Sequence, residues 1–283
     1  MAMTTASAGP LSHYEALDFM HVRLLPRTYV EIGVNRGNAL TLVLPGTRAV
    51  GIDPEPRLRH PISRSTKVFP WASDTFFEMW DLEDVLGGRK VDLAFIDGMH
   101  LFEYALRDFA NLEPYCTPDS VVVLHDCLPA NPRVAARKRP KKGWTGDVWK
   151  LAVCLRRYRP DLQTTVLDVP ASGLGIVRGL DPESTVLQDE RREILRELLP
   201  LDLDSTTGQE AKLNRVPGDW ETLGALLPAR PFRRRSRGVL RTERYMRIAP
   251  AKLARRVLGP DALASRLRAR IEEPGPPNPR SSS

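Results

Sequence analysis

Val91–Asp126, VDLAFIDGMHLFEYALRDFANLEPYCTPDSVVVLHD, decides the fold class. It opens on a near-continuous apolar run, Val91–Ile96, and closes on a second, Ser120–Leu124. Short runs of this kind read as strands covered on both faces. Between them Leu101–Leu112 has helical spacing and stops near Pro114. Strand, helix, strand is the unit of a parallel sheet, because parallel neighbours need a crossover of a dozen residues or more.

The same alternation extends in both directions. Upstream, Thr28–Gly33 reads as a strand, followed by a glycine turn and a helix over Asn38–Leu44. Arg48–Asp53 and Thr66–Pro70 read as two more strands. Ser73–Leu86 is then expected to be one helix, capped by Ser73 or Asp74, with Phe76, Phe77, Trp80 and Leu82 or Val85 facing inward. Downstream come a helix over Asp147–Tyr158 and two strands, Leu162–Val169 and Gly173–Val177. The short PASG connection forces that last pair to be antiparallel. Ser12–Leu25 reads as a helix ahead of the first strand. The expected fold is α/β, a doubly wound, mostly parallel sheet of seven strands with helices on both faces. Past residue 180 strand signals vanish. Glu190–Leu199 and Ala251–Ile271 are helical in pattern, and Pro274–Ser283 has the composition of a disordered end. The expected organisation is an N-terminal helical segment (1–27), a ligand-binding domain (28–180), a helical basic extension (181–273) and a tail (274–283).

With 42% hydrophobic and 27% charged residues among 283, the chain is an ordinary globular one, long enough for a sizeable core. Its three cysteines, Cys116, Cys127 and Cys154, are scattered and make neither a disulfide framework nor a zinc-finger spacing. The start lacks a signal-peptide pattern, and no apolar run approaches the about 20 residues that span a bilayer. A cytoplasmic protein is expected. The net charge of +7 is unevenly spread: residues 1–130 hold 11 Lys+Arg against 17 Asp+Glu, and residues 131–180 hold 11 against 3. One basic run is Arg133, Arg137, Lys138, Arg139, Lys141 and Lys142; a second, richer in arginine, covers 230–247. Such runs attract phosphates, anionic lipid or acidic sugars, or else are simply solvated.

In an open parallel sheet, ligands bind beyond the carboxyl ends of the strands, where the strand order reverses. Every one of the first five strands ends in a polar or acidic group. Glu31, Gly33 and Gly37 follow or end the first, a turn that lets backbone approach a ligand closely. Asp53 ends the second and is placed to accept the hydroxyls of a ribose; capping the segment after Pro54 is its plainer role. Ser73 and Asp74 follow the third, as helix caps, as adenine contacts or as both. Asp97 and His100 follow the fourth, and His125, Asp126 and Cys127 end the fifth. Charge at the ends of apolar strands is costly unless paired. A divalent cation between Asp97 and Asp126 would pair it, and His100 could then take a proton from a nearby hydroxyl. An internal His–Asp hydrogen bond without metal is the alternative. His13, His21 and His60 have no such company and read as structural. Trp71, Trp80, Trp144 and Trp149 read as core or lid packing.

The segments YVEIGVNRGNAL, VGIDPEP, FIDGMHLFEYALRDF, VVVLHDC and GDVWK resemble the class I S-adenosylmethionine-dependent methyltransferases. More narrowly they resemble the bacterial subfamily of cephalosporin hydroxylase-like and sugar O-methyltransferase proteins, over residues 28–178. The resemblance implies a Rossmann-like methyltransferase fold with its last strand antiparallel. It implies S-adenosylmethionine as cofactor, with Glu31, Gly33 and Gly37 along its methionine part, Asp53 on its ribose, and Ser73 and Asp74 near its adenine. Metal-dependent members place magnesium on the acid after strand four and a pair after strand five, which maps to Asp97 and Asp126 with His125 or Cys127. There the chain departs from the pattern, since relatives offer Asp, Glu or Asn at the third position. The base maps to His100, and Asp97 would help fix the acceptor hydroxyl.

The expected reaction is therefore O-methylation of a sugar, glycan or secondary-metabolite hydroxyl, the acceptor being acidic if the first basic run serves it. A nicotinamide dehydrogenase would want Gly-x-Gly-x-x-Gly, which Gly33-x-x-x-Gly37 does not supply. A nucleic-acid partner lacks a module or an aromatic-interleaved basic surface. The remaining rival is a non-catalytic cofactor-binding protein that touches membrane or nucleic acid through its basic segments, above all the arginine-rich one. Assembly into a homo-oligomer is compatible with all of these readings.

Overall fold

In the computed structural model, residues 11–141, 143–206, 214–229 and 231–232 are described. The sheet is built from β1 (Thr28–Ile32), β2 (Arg48–Ile52), β3 (Thr66–Phe69), β4 (Leu93–Ile96), β5 (Val121–His125), β6 (Gln163–Asp168), β7 (Leu174–Arg178) and β8 (Arg215–Pro217). Their spatial order is β3-β2-β1-β4-β5-β7-β6-β8. β7 runs antiparallel to both its neighbours, β5 and β6. The pairs from β3 across to β5 are parallel. The fold is therefore the doubly wound α/β sheet expected, with one strand more. β8 is three residues long and pairs with β6, too short to leave a pattern, so strand structure does not end at residue 180.

Period-two alternation sorts the strand side chains between two cores. Val30 and Ile32 point with Val50 and Ile52 into a core that takes in Phe76, Phe102, Phe109 and Leu151. Tyr29, Leu93, Phe95, Val121 and Val123 point the other way, against Leu17, Met20 and Leu24 of α1 (His13–Leu24). The central strands β1 and β4 are buried at every position; β4 is an unbroken apolar run, while β1 also buries Thr28 and Glu31. α1 begins with a capping box: Ser12 Oγ accepts from the Glu15 amide and the Glu15 carboxylate accepts from the Ser12 amide. Such a box is worth about 1 kcal/mol.

Two helices differ from expectation. Asn38–Leu44 is only a 3₁₀ turn, Ala39–Leu42, because Pro45 and Gly46 follow too soon for an α-helix to propagate. Ser73–Leu86 divides into α2 (Ser73–Met79) and α3 (Leu82–Val85). Asp81 causes the break: its carboxylate accepts from the amides of Glu83 and Asp84, starting a new helix. Neither Ser73 nor Asp74 caps α2, whose N-cap is Ala72 with no side-chain bond. α4 (Phe102–Leu112) and α5 (Trp149–Tyr158) lie where the sequence puts them. Beyond β7 come α6 (Val186–Asp189), α7 (Arg191–Leu198), α8 (Leu203–Thr206) and α9 (Trp220–Leu226). Ile194 and Leu198 of α7 join the first core and Leu223 of α9 the second, so part of the expected extension is packed on the sheet. The second basic run, the helix over 251–271 and the tail over 274–283 lie outside the described residues. Among the described residues no helix is long and apolar enough to cross a membrane.

Candidate functional site

The strand order reverses between β1 and β4, and there the two backbones nearly touch. The Asp97 amide donates to Ile32 O, and Gly33 leaves β1 with φ +92°. A Cβ on Gly33 would stand 2.0 Å from Asp97 O, so only glycine fits. Asp97 thus leaves β4 at the reversal point, next to the end of β5.

β5 delivers His125 and Asp126. Asp126 has φ +60°, a left-handed conformation that aspartate tolerates better than most residues. Its side chain is nearly buried at 5% exposure, yet charged and titratable groups crowd it. His100 Nδ1 lies 2.7 Å from Asp126 Oδ2 and 3.1 Å from Trp144 O. Both partners only accept, so Nδ1 carries a proton and Nε2 is the titrating nitrogen. Nε2 lies 3.7 Å from Asp97 Oδ1. His125 Nδ1 lies 3.0 Å from Asp97 Oδ1 and 3.3 Å from Asp126 Oδ1.

The charges follow from these contacts. Burial lowers the pKa of His125, but Asp97 and then Asp126 outweigh it and push it up to about 9. Burial likewise opposes charge on His100, and the Asp126 and Asp97 carboxylates shift the balance upward. Burial would raise Asp126, while His100 and His125 together hold it below the usual carboxylate range. The two carboxylates thus favour protons on both imidazoles, and the imidazoles favour ionised carboxylates. Internal His–Asp pairing of this kind is one of the two arrangements the sequence allows.

His13 is the residue sequence reasoning missed. It read as structural, yet its ring lies 4.7 Å from that of His125, at the first turn of α1. Burial, with His125 adding to it, lowers its pKa to about 4, so it is neutral at physiological pH. Next to it Tyr14 accepts from Asn38 Nδ2 at 3.2 Å and so ties α1 to the loop after β1. His21 stands apart, buried against Tyr29, as a structural residue should.

The cofactor candidates fall into two groups. Glu31 is buried on the α1 face of β1, accepts from Tyr29 Oη at 2.9 Å, and has its pKa raised well above normal, first by burial. Asp53 accepts from the amides of Asn35 and Glu55, both at 2.7 Å, which shapes the loop carrying Gly37. A carboxylate has about four acceptor positions, so two remain. Across the reversal point, Ser73 Oγ donates to Asp108 Oδ1 at 2.5 Å, and Asp74 pairs with Arg107 at 2.9 Å. Asp108 is 3% exposed; burial, then neighbouring Asp74, raises its pKa to about 7 although Ser73 pulls it down. Asp97, His100, Asp108, His125 and Asp126 line one pocket.

Three donors come together where the sequence places a metal. Asp97, His100 and Asp126 can bring one ligand atom each within 4.8 Å of the others. His125 is not in that set; its Nδ1 faces Asp97 Oδ1 at 3.0 Å and Asp126 Oδ1 at 3.3 Å. Cys127 is outside it too, its thiol buried among Leu124 and Gly175 and pushed up to about 12 by burial. Magnesium takes oxygen ligands, and a set containing an imidazole, with both carboxylates already engaged by histidines, does not fit it.

The loop from Leu128 to Gly146 closes one side of the site and is a built element. Arg137 bridges Glu103, at 2.6 and 2.9 Å, and buried Asp147, at 2.7 Å. Asp147 also accepts from the Phe102 amide, the first of α4, and from Lys150. Trp144 Nε1 donates to Ala136 O, and its ring stacks on His100 at 5.1 Å and 9°. A Cβ on Gly146 would stand 1.5 Å from His100 O, so this second glycine lets the loop reach the histidine.

Residues 30–127 match a family model described as a methyltransferase domain. The search of curated proteins found no match. Among solved structures the chain is similar to cofactor-bound Rv0187 from MTB, with 14% identity and a TM-score of 0.47 over 63% of this chain and 83% of that one. A putative O-methyltransferase from Klebsiella pneumoniae gives 10%, 0.46, 64% and 84%. An O-methyltransferase from Bacillus cereus in complex with SAH gives 14%, 0.44, 61% and 84%. At such identities nothing about chemistry passes from these proteins to this one.

Proposed function

For a chain whose residues 30–127 match a methyltransferase-domain model, we propose a class I S-adenosylmethionine-dependent O-methyltransferase in which His100 is the general base. The observation that carries the proposal is the seating of His100. The Trp144 carbonyl, with the Asp126 carboxylate 2.7 Å away, favours the proton on Nδ1, which leaves Nε2 to receive another at the point where the strand order reverses. Bound there, S-adenosylmethionine supplies a methyl group already activated on a sulfonium. Gly33 and Gly37 give it room, Glu31 faces its ammonium and Asp53 its ribose, with Ser73 and Asp74 on the adenine side. His100 Nε2 takes the hydroxyl proton of the acceptor, and Asp126 and Asp97 stabilise the imidazolium that results. The acceptor hydroxyl belongs to a saccharide or secondary metabolite. Because magnesium does not fit the donor set, no metal enters this reading.

Calorimetric titration with S-adenosylhomocysteine, run beside NAD and with either magnesium or EDTA present, tests it. Micromolar binding of the first and none of the second is expected, with EDTA without effect. Binding of NAD alone, or of neither, would reject the cofactor assignment.

A further inference from the structure

The loop over the site holds cations with nothing to do. Of the first basic run, Arg137 is fully committed to Glu103 and Asp147. Arg133, Lys138, Arg139 and Lys141 are exposed and make no ion pair among the described residues. Exposed cations are usually just solvated, but Arg139 is placed by more than solvent. Its guanidinium carbon lies 5.4 Å from the centroid of the Trp144 ring, and that ring stacks on His100 at 5.1 Å. Laid end to end, the two distances, 5.1 and 5.4 Å, keep the guanidinium carbon within about 10.5 Å of the His100 ring. The tryptophan in turn is fixed by Ala136 O, and the whole loop by the Arg137 bridge.

From this arrangement we infer that the acceptor carries an oxyanion, a phosphate or a carboxylate, and that Arg139 binds it on the rim of the site. A guanidinium held over an indole loses part of its freedom yet keeps its N–H fork for two oxygens. Lys138, Arg133 and Lys141 add a positive field that draws an anion to the same rim. The neighbourhood is otherwise unsuited to anions, since residues 1–130 are acidic on balance and Asp97 and Asp126 face the reacting hydroxyl. An acceptor with a hydroxyl at one end and an oxyanion at the other satisfies both ends. A charged monosaccharide has that shape. The inference rests on the methyltransferase reading only for what happens at the hydroxyl; the oxyanion site stands on the loop alone.

Saturation-transfer NMR on the full chain, with glucose 6-phosphate, glucuronate and glucose as probes, tests it. At least one charged sugar is expected to bind, glucose is not, and the charged pair identifies phosphate or carboxylate as the preferred group. Arg139→Gln should weaken that binding by about tenfold or more, and Arg139→Lys by less, because charge survives while the fork does not. The glutamine variant also separates this rim from every other basic segment of the chain. S-adenosylhomocysteine affinity should be the same in all three proteins. Equal binding of glucose, no binding of either charged sugar, or an indifferent Arg139→Gln would overturn the inference. Failure of S-adenosylhomocysteine to bind would strike the methyltransferase reading instead and leave the sugar titrations to be judged by themselves.

Discussion

Replacing Asp108 with asparagine should stabilise the protein at alkaline pH and do little for it at acid pH. Asp108 is 3% exposed and its pKa stands at about 7, against an ordinary 3.8. Below pH 3.8 the carboxyl is neutral folded or unfolded and has no linkage effect. Between 3.8 and 7 the unfolded chain releases the proton while the folded one keeps it, so stability falls as pH rises. The fall amounts to about 1.36 kcal/mol per pH unit, or about 4 kcal/mol once pH exceeds about 7. Asparagine is nearly isosteric, and its amide oxygen still accepts the Ser73 hydroxyl that now lies 2.5 Å from Oδ1. Packing is thus conserved and only the titration is removed. Urea unfolding of both proteins at about pH 5.5 and about pH 8 reads the effect, and the stability difference should move by about 2 kcal/mol in favour of asparagine. A difference that stays constant across that interval would show that Asp108 is ionised in the folded protein at acid pH, and the argument from burial would be wrong.

Three further outcomes are expected of the site. His100→Ala should lower turnover by about 10²–10⁴ and leave S-adenosylhomocysteine affinity nearly unchanged; retained turnover would remove His100 from the chemistry. Gly33→Ala should destabilise by about 2–4 kcal/mol in urea, from its left-handed backbone and from a Cβ 2.0 Å from Asp97 O; a variant as stable as the parent would mean that β1 and β4 approach each other less closely than this contact requires. Arg137→Ala should cost only about 1–2 kcal/mol, since Lys150 still pairs with Asp147, but should open the loop to trypsin near Lys138, Arg139 and Lys141. If the cleavage rate did not change, Arg137 would not be what holds that loop down.

The sequence made the sheet legible because β4 and β5 are near-continuous apolar runs and its one tight strand connection can only be antiparallel. β8 escaped because three residues carry no period, and the break at Trp80 escaped because a single Asp81 cap outweighed an apolar pattern that continues through it. In the site, the acids and histidines could be found by reading the residues at the carboxyl ends of β4 and β5. How they divide into pairs could not, since that depends on which nitrogen faces which oxygen. His13 was within reach. A helix joined to β1 by only Leu25–Arg27 must run antiparallel to it, which brings the helix's first turn to the carboxyl edge of the sheet. The contacts of Trp144 with Arg139 and His100 were out of reach, because a loop of this length declares its course only through contacts such as Arg137 with Glu103 and Asp147.

Those contacts also bear on whether His100 could serve a cation and a substrate at once. A metal on Asp97, His100 and Asp126 would need the lone pair of Nε2, because Nδ1 is committed to Asp126 and to Trp144 O. That is the same lone pair a general base uses. Ligand and base are therefore exclusive roles for His100, whichever cation is considered. His125 is not among those three donors, its Nδ1 facing Asp97 Oδ1 at 3.0 Å. Without a metal, the cluster already has its counter-charges: each carboxylate faces an imidazole nitrogen within 3.0 Å, and neutral His13 seals the side toward α1. A buried acid needs such a partner to remain ionised. The contact that makes Asp126 tolerable at 5% exposure thus also orients His100.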